Sequence, residues 1–166
     1  MWKNVLFGVY MLVVVLQMGI RAGEVAVPNR IGNAKPGEWA TYAFTKEISR
    51  KFIVVGFEEK DGVRHVTLKS QTLMNNVVLK EEETSRTVSD SNVLLKNIEA
   101  ADVQQREEVI EIKGEKYTVT AISAKKNGLP ITLYISDDFP VFGLVRMDMA
   151  GELLLQIHEW GFGDGD

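Results

Sequence analysis

From Glu38 onward, apolar and polar side chains alternate every second residue, and short turn sequences interrupt the alternation repeatedly. A β-strand is the regular element with that period, because successive side chains leave it on opposite faces. In Glu38 to Lys46, Ala40, Tyr42 and Phe44 share one face while Trp39, Thr41 and Ala43 share the other. Lys51 to Phe57 is apolar on both faces, with Ile53, Val55 and Phe57 opposed to Phe52 and Val54, as expected of a central strand. Lys60-Asp61-Gly62 then reads as a hairpin turn into Val63 to Leu73, and Asn75-Asn76 turns the chain into Val77 to Glu82.

The middle of the chain breaks this rhythm. Ser89-Asp90-Ser91 offers N-cap side chains, and Leu94, Ile98 and Ala101 recur at helical spacing, so the pattern predicts one short amphipathic helix over Val93 to Gln105. Alternation returns at Glu108 to Ile112. Lys113-Gly114-Glu115, Asn127-Gly128 and Ala150-Gly151 separate further strands at Tyr117 to Ala124, Ile131 to Ser136, Val141 to Met149 and Glu152 to Trp160. The expectation is a mainly β (α+β) domain of about nine antiparallel strands, forming a curved sheet or half-barrel whose apolar face the helix covers. A closed barrel similar to lipocalins is the alternative.

The N-terminus has the three parts of a secretory signal: Met1 to Asn4 with one Lys, an apolar run from Val5 to Ile20 broken only by Gln17, and the polar Arg21-Ala22-Gly23-Glu24. Cleavage is expected after Ala22; the alternative is that the run stays as a membrane anchor. Residues 23–36, rich in Gly, Pro, Asn and charge, read as a flexible arm. The single domain then spans residues 37–161 and a flexible tail spans residues 162–166. The folded part is therefore expected outside the cytoplasm, periplasmic or extracellular. With no cysteine, it must be stable through its core alone.

Composition removes several functions. Net charge is −4, and loss of residues 1–22 would take away Lys3 and Arg21 but no acid, the wrong sign for a nucleic-acid binder. The absence of cysteine excludes thiolate zinc and iron–sulfur sites, and two histidines leave little for a metal site. There is no Gly-x-Ser-x-Gly elbow and no phosphate loop; Gly161 to Asp166 has no following helix to hold a phosphate. Glu81-Glu82-Glu83 reads as a solvated strand end, and His65 as a half-exposed strand residue. Asp137, Asp138 and Asp148 form the one candidate calcium set, against the reading of Ser136 to Pro140 as a loop-forming device. Gly143, inside an apolar stretch, signals a bulge or a crowded backbone position.

The segments Gly37-Glu38-Trp39-Ala40-Thr41-Tyr42, Ile131 to Met147 with its Ser136-Asp137-x-x-Pro140-x-x-Gly143-Leu144-Val145-Arg146 core, and the closing Trp160-Gly161 resemble a pattern of uncharacterised exported bacterial β-rich proteins. Those proteins are remotely similar to periplasmic lipoprotein-carrier half-barrels. The resemblance implies a concave apolar face that binds acyl chains, and it brings no catalytic residue and no cofactor. From the residues themselves, large side chains occur on both faces of the strands, so some can line a cavity rather than fill the core. The ligand-binding candidates are Trp39, Phe52, Phe57, Tyr134, Phe142, His158 and Trp160. The reading is a non-enzymatic exported domain that carries or senses a lipid or other apolar ligand in the cell envelope. The alternatives are a structural domain contacting an envelope protein, and a hydrolase using His158 and a neighbouring acid.

Overall fold

In the computed structural model, which describes residues 30–90 and 98–163, nine antiparallel strands form one open sheet. In chain order they are β1 (Glu38–Ala43), β2 (Ile48–Lys60), β3 (Val63–Met74), β4 (Val77–Thr87), β5 (Ile98–Ile112), β6 (Glu115–Lys126), β7 (Leu129–Ile135), β8 (Leu144–Met149) and β9 (Glu152–Phe162). Their spatial order is β4-β3-β2-β1-β9-β8-β7-β6-β5. Two meanders, β1 to β4 and β5 to β9, are thus joined where β1 pairs β9. β4 and β5 are the outer strands, so the closed barrel is excluded.

Five of the joints are two-residue turns with both central residues at positive φ: Asp61-Gly62, Asn75-Asn76, Lys113-Gly114, Asn127-Gly128 and Ala150-Gly151. That geometry matches the right-handed twist of the paired strands, so each turn also sets the register of its hairpin. Lys113 and Ala150 adopt it without the short polar side chain that eases it in Asn and Asp.

The expected helix is not formed. Residues 98–105 belong to β5, which pairs β6 from Ile98↔Lys126 to Ile112↔Glu115, while residues 93–97 lie outside the described residues. Ser89 and Asp90 sit in a short 3-10 turn over Val88–Asp90 instead of capping a helix. Helical spacing of three small or aliphatic residues is a weak signal, and pairing with β6 at Ile98 and Glu99 and again from Gln104 onward overrides it, with an irregularity between Glu99 and Gln104. One face of the sheet is covered instead by the β7–β8 loop, residues 136–143. Its Phe142 ring packs 5.1 Å from Phe52 and 6.4 Å from Tyr42, and its Phe139 ring packs 5.0 Å from Trp160 and 4.8 Å from Tyr117. Val141 and Pro140 lie in this loop, so β8 begins at Leu144 rather than at Val141.

Residues 30–36, read as part of the flexible arm, pack onto the domain. A 3-10 turn over Arg30–Asn33 inserts Ile31 fully into the core, and Ala34 is buried beside it. Residues 23–29, like the apolar run Val5 to Ile20, lie outside the described residues. At the other end, β9 continues through Phe162, one residue into the expected tail.

Bulges change which side chains share a face. Val54 pairs Leu68 and Gly56 pairs Thr67, so Val55 is extra and Phe57 falls on the face of Val54 and Val66, not that of Ile53. Thr41 pairs Glu159 while Tyr42 pairs Ile157, so His158 is the extra residue of β9. Trp160 therefore shares the face of Ile157 rather than that of His158 and Gln156.

Candidate functional site

The seven candidate side chains do not form one site. Phe52 and Phe142 are buried as core and pack edge to face with each other, and Phe52 also packs edge to face with Tyr42. Phe57 packs against the edge of that core with the Arg64 guanidinium 4.3 Å above its ring. Tyr134 lies on the opposite face of β7 from Leu133, where its hydroxyl donates to Asp148 (3.3 Å) and Arg146 stands over its ring. Burial, with the Asp148 charge adding to it, pushes the Tyr134 phenol upward.

Trp39, Trp160 and His158 are the three that reach open space. Trp39 and Trp160 line a groove of about 420 Å³ with Tyr117, Glu115, Lys113 and Glu159. The Trp39 indole lies against Gly161: a Cβ at that glycine would fall 2.5 Å from Nε1, so the close approach requires Gly. The Lys51 ammonium sits 4.0 Å from the Trp39 ring centre, and Lys113 stands 5.8 Å from that of Trp160. Tyr117 donates to Glu115 (2.7 Å), a bond to a carboxylate that raises the phenol's pKa.

His158 lines a second, larger cleft of about 740 Å³. Its walls are the β1–β2 loop around Phe44 to Ile48, the Asn75-Asn76 turn, the β5–β6 turn at Ile112-Lys113, and Leu153 to His158 of β9. Ile112 and Lys113 border both spaces, so the β5–β6 turn stands between them. The floor is apolar: Ile112 and Ile157 are buried, while Phe44, Ile48 and Leu153 each leave more than a third of their surface exposed. The bulge in β9 turns the extra His158 to the cleft, its side chain 58% exposed. Its Nε2 is 3.9 Å from Glu159, and among the described residues it hydrogen-bonds no hydroxyl.

A residue missed by the sequence reading organises the core between these elements. Glu38 is 2% exposed and accepts from Arg30 Nη1 at 2.6 Å and Nη2 at 3.4 Å; it also accepts the Val141 N–H at 3.3 Å. Arg30 Nε in turn donates to the Asp137 carbonyl at 3.0 Å. Val141, a β-branched residue at φ 62°, is strained, and the Glu38 carboxylate and the closed loop hold it there. The loop is closed by Ser136 N–H to Gly143 O (2.9 Å) and by the Asp138 N–H to Ser136 Oγ (3.2 Å). Gly143 itself is at φ 66°, with space for a Cβ only 3.0 Å from the Ser136 carbonyl, which makes it the crowded backbone position expected. The signal for Glu38 was its parity: it shares the face of Ala40 and Tyr42, so a strand placing those inward must bury a carboxylate too. Asp148 is taken up by Arg146 at 2.6 and 2.8 Å, and no group of three or more acids or histidines able to hold a metal ion occurs among the described residues.

No family model matches the chain, and no curated protein matches it. A solved structure from Bacteroides fragilis, described as that of a candidate exported protein with a YmcC-like fold, is similar at 9% identity with a TM-score of 0.49, covering 77% of this chain and 97% of the other.

Proposed function

We propose that this protein is an exported, non-enzymatic binding domain whose larger cleft takes an apolar ligand, a lipid or acyl chain, in the cell envelope. The observation that carries this reading is the cleft of about 740 Å³, a size suited to a small-molecule ligand, floored by Ile112 and Ile157 and rimmed by exposed Phe44, Ile48 and Leu153. Exposed aliphatic side chains around a concavity lose water on binding, at roughly 25 cal/mol per Å². The signal-like residues 1–22 support export, and the resemblance of the Glu38 and Gly143 segments to uncharacterised exported β-rich proteins, themselves remotely similar to lipoprotein-carrier half-barrels, agrees with it.

A second reading rests on the free edge of the sheet, where Val77, Val78 and Leu79 of β4 are exposed. An uncovered apolar strand end suits addition of a strand from an envelope protein. The hydrolase reading has less support, since His158 lacks a hydrogen-bonded hydroxyl partner.

Native mass spectrometry of protein recovered from an exporting host tests the first reading. Co-purified acyl species, displaced by a fluorescent fatty acid, are expected; protein that is empty and does not bind the probe would remove it. N-terminal sequencing of the exported form should begin at Gly23, and an intact Met1 in the membrane fraction would show a retained anchor instead.

A further inference from the structure

The chain carries net negative charge, yet the rim of the larger cleft reverses that sign. Lys46 on the β1–β2 loop, Lys113 on the β5–β6 turn and the exposed His158 border it, against Glu47 as its one acidic side chain. Neither Lys46 nor Lys113 is in a salt bridge among the described residues, in contrast to Lys69 and Lys80, which pair with Glu81 and Glu82. Ammonium groups without a salt bridge beside apolar side chains suit an anionic head on an apolar tail, and the cation–π contact of Lys113 with Trp160, 5.8 Å from the ring centre, is weak enough to yield to a carboxylate or phosphate. A neutral lipid would leave the lysines without a partner, and a cationic one would be repelled.

We propose that the cleft selects single-chain amphiphiles with an anionic head, the tail lying on Ile48, Leu153 and Ile157 and the head between Lys46 and Lys113. This rests on the reading of the cleft as an apolar-ligand site and adds the charge of its ligand. A carboxylate and a phosphate head share the required chemistry, and the tail distinguishes either from a free ion. The two lysines come from the β1–β2 loop and the β5–β6 turn, so a head held by both bridges elements distant in the sequence. His158 adds a third positive charge when protonated, without being needed for the selection.

The test titrates the protein with myristate, myristyl phosphate, myristyl alcohol and myristyltrimethylammonium below their aggregation limits, with acetate and inorganic phosphate as tail-free controls. Both anionic amphiphiles should bind about tenfold more tightly than the alcohol, as two partly exposed ion pairs provide, and the preference should shrink as salt rises. The tail-free ions should not compete at the same concentrations. In Lys46→Gln with Lys113→Gln, affinity for myristate should fall to that of the alcohol at unchanged melting temperature; should that variant unfold, the salt dependence of the native protein decides. Equal binding of all four amphiphiles would overturn the head selection and leave the apolar site standing, and tightest binding of the ammonium form would reverse it. Binding of none would overturn both.

Discussion

Removal of the Glu38 carboxylate tests what holds the β7–β8 loop on the sheet. In Glu38→Ala the Arg30 guanidinium, whose side chain is 13% exposed, loses the partner 2.6 Å away, and the strained Val141 loses the acceptor for its N–H. Breaking one side of a buried pair costs about 3–5 kcal/mol, because the remaining charge stays desolvated. The orphaned amide, at about 1–3 kcal/mol by itself, overlaps with that figure rather than adding in full. Against a typical stability of about 5–15 kcal/mol, the expected loss of about 3–5 kcal/mol is a large fraction. Replacing both partners, Arg30→Met with Glu38→Leu, removes the charges together and should cost less than Glu38→Ala alone, about 1–3 kcal/mol from the Val141 amide that still lacks an acceptor. Urea unfolding followed by tryptophan fluorescence measures all of these, with Trp39 and Trp160 near the affected loop and equal m-values as the check that the native state is kept. A loss below about 1 kcal/mol for Glu38→Ala, or single effects that sum to the double, would show that the pair does not act as a desolvated unit.

Gly143→Val should lower stability by about 1–3 kcal/mol, since φ 66° and the Ser136 carbonyl 3.0 Å from the new Cβ both oppose a side chain, and Asp137→Asn with Asp138→Asn should cost less in the same unfolding assay. Ala150→Asn should raise the unfolding free energy by about 0.5–1 kcal/mol, because Asn tolerates the φ of 52° that Ala150 holds in its hairpin turn; an unchanged or lower melting temperature would count against the turn assignment. Tyr42 is fully buried, its hydroxyl has no hydrogen-bond partner among the described residues, and burial, opposed in part by the Arg30 charge, pushes its phenol far up. The unfolded state therefore releases this proton first: the contribution of Tyr42 is intact below pH about 10 and is lost above it, by up to about 1.4 kcal/mol per pH unit. Tyr42→Phe should be neutral or stabilising at pH 7 and should flatten the alkaline decline of stability, which a pH series of melts reads directly.

Hairpins were legible because their turns need particular residues. Lys60-Asp61-Gly62, Asn75-Asn76 and Asn127-Gly128 supply positive φ at low cost, and the structure turns at each one. Bulges were not legible: one inserted residue at Val55 or His158 inverts the parity of everything after it, and no residue type marks it. That is why Phe57 lies on the face of Val54 rather than on that of Ile53, and Trp160 on the face of Ile157 rather than on that of His158. The N-terminal half of β5 was misread because an outer strand has no second partner to enforce alternation, so Ile98 and Ala101 fitted a helical spacing equally well. The cleft was invisible for a different reason. Its walls come from the β1–β2 loop, the β5–β6 turn and β9, and only the sheet order brings them together, so that His158 was the one member proposed in advance.

Charge explains how such a sheet can keep two free edges. Along β5 stand Glu99, Asp102, Glu107, Glu108 and Glu111 with Arg106 as the only base, and β4 carries Glu81, Glu82 and Glu83 against Lys80 and Arg86. Both outer strands carry more acids than bases, so bringing β4 to β5, within one molecule or between two, sets two acidic edges against each other. The hydrogen bond from Gln71 (2.6 Å), followed by the Lys69 ammonium (3.2 Å), lowers the pKa of Glu81, and the Lys80 ammonium (2.6 Å) lowers that of Glu82, although such surface pairs contribute little to stability. The acids occupy the middle of β4, while its start at Val77 to Leu79 is apolar and exposed. Lys46 and Lys113, which have no salt bridge among the described residues, stand instead on the β1–β2 loop and the β5–β6 turn that border the cleft. Acids along the outer strands and two lysines without salt bridges at one concavity thus separate the surface that repels a second copy of this sheet from the surface that can take an anionic ligand.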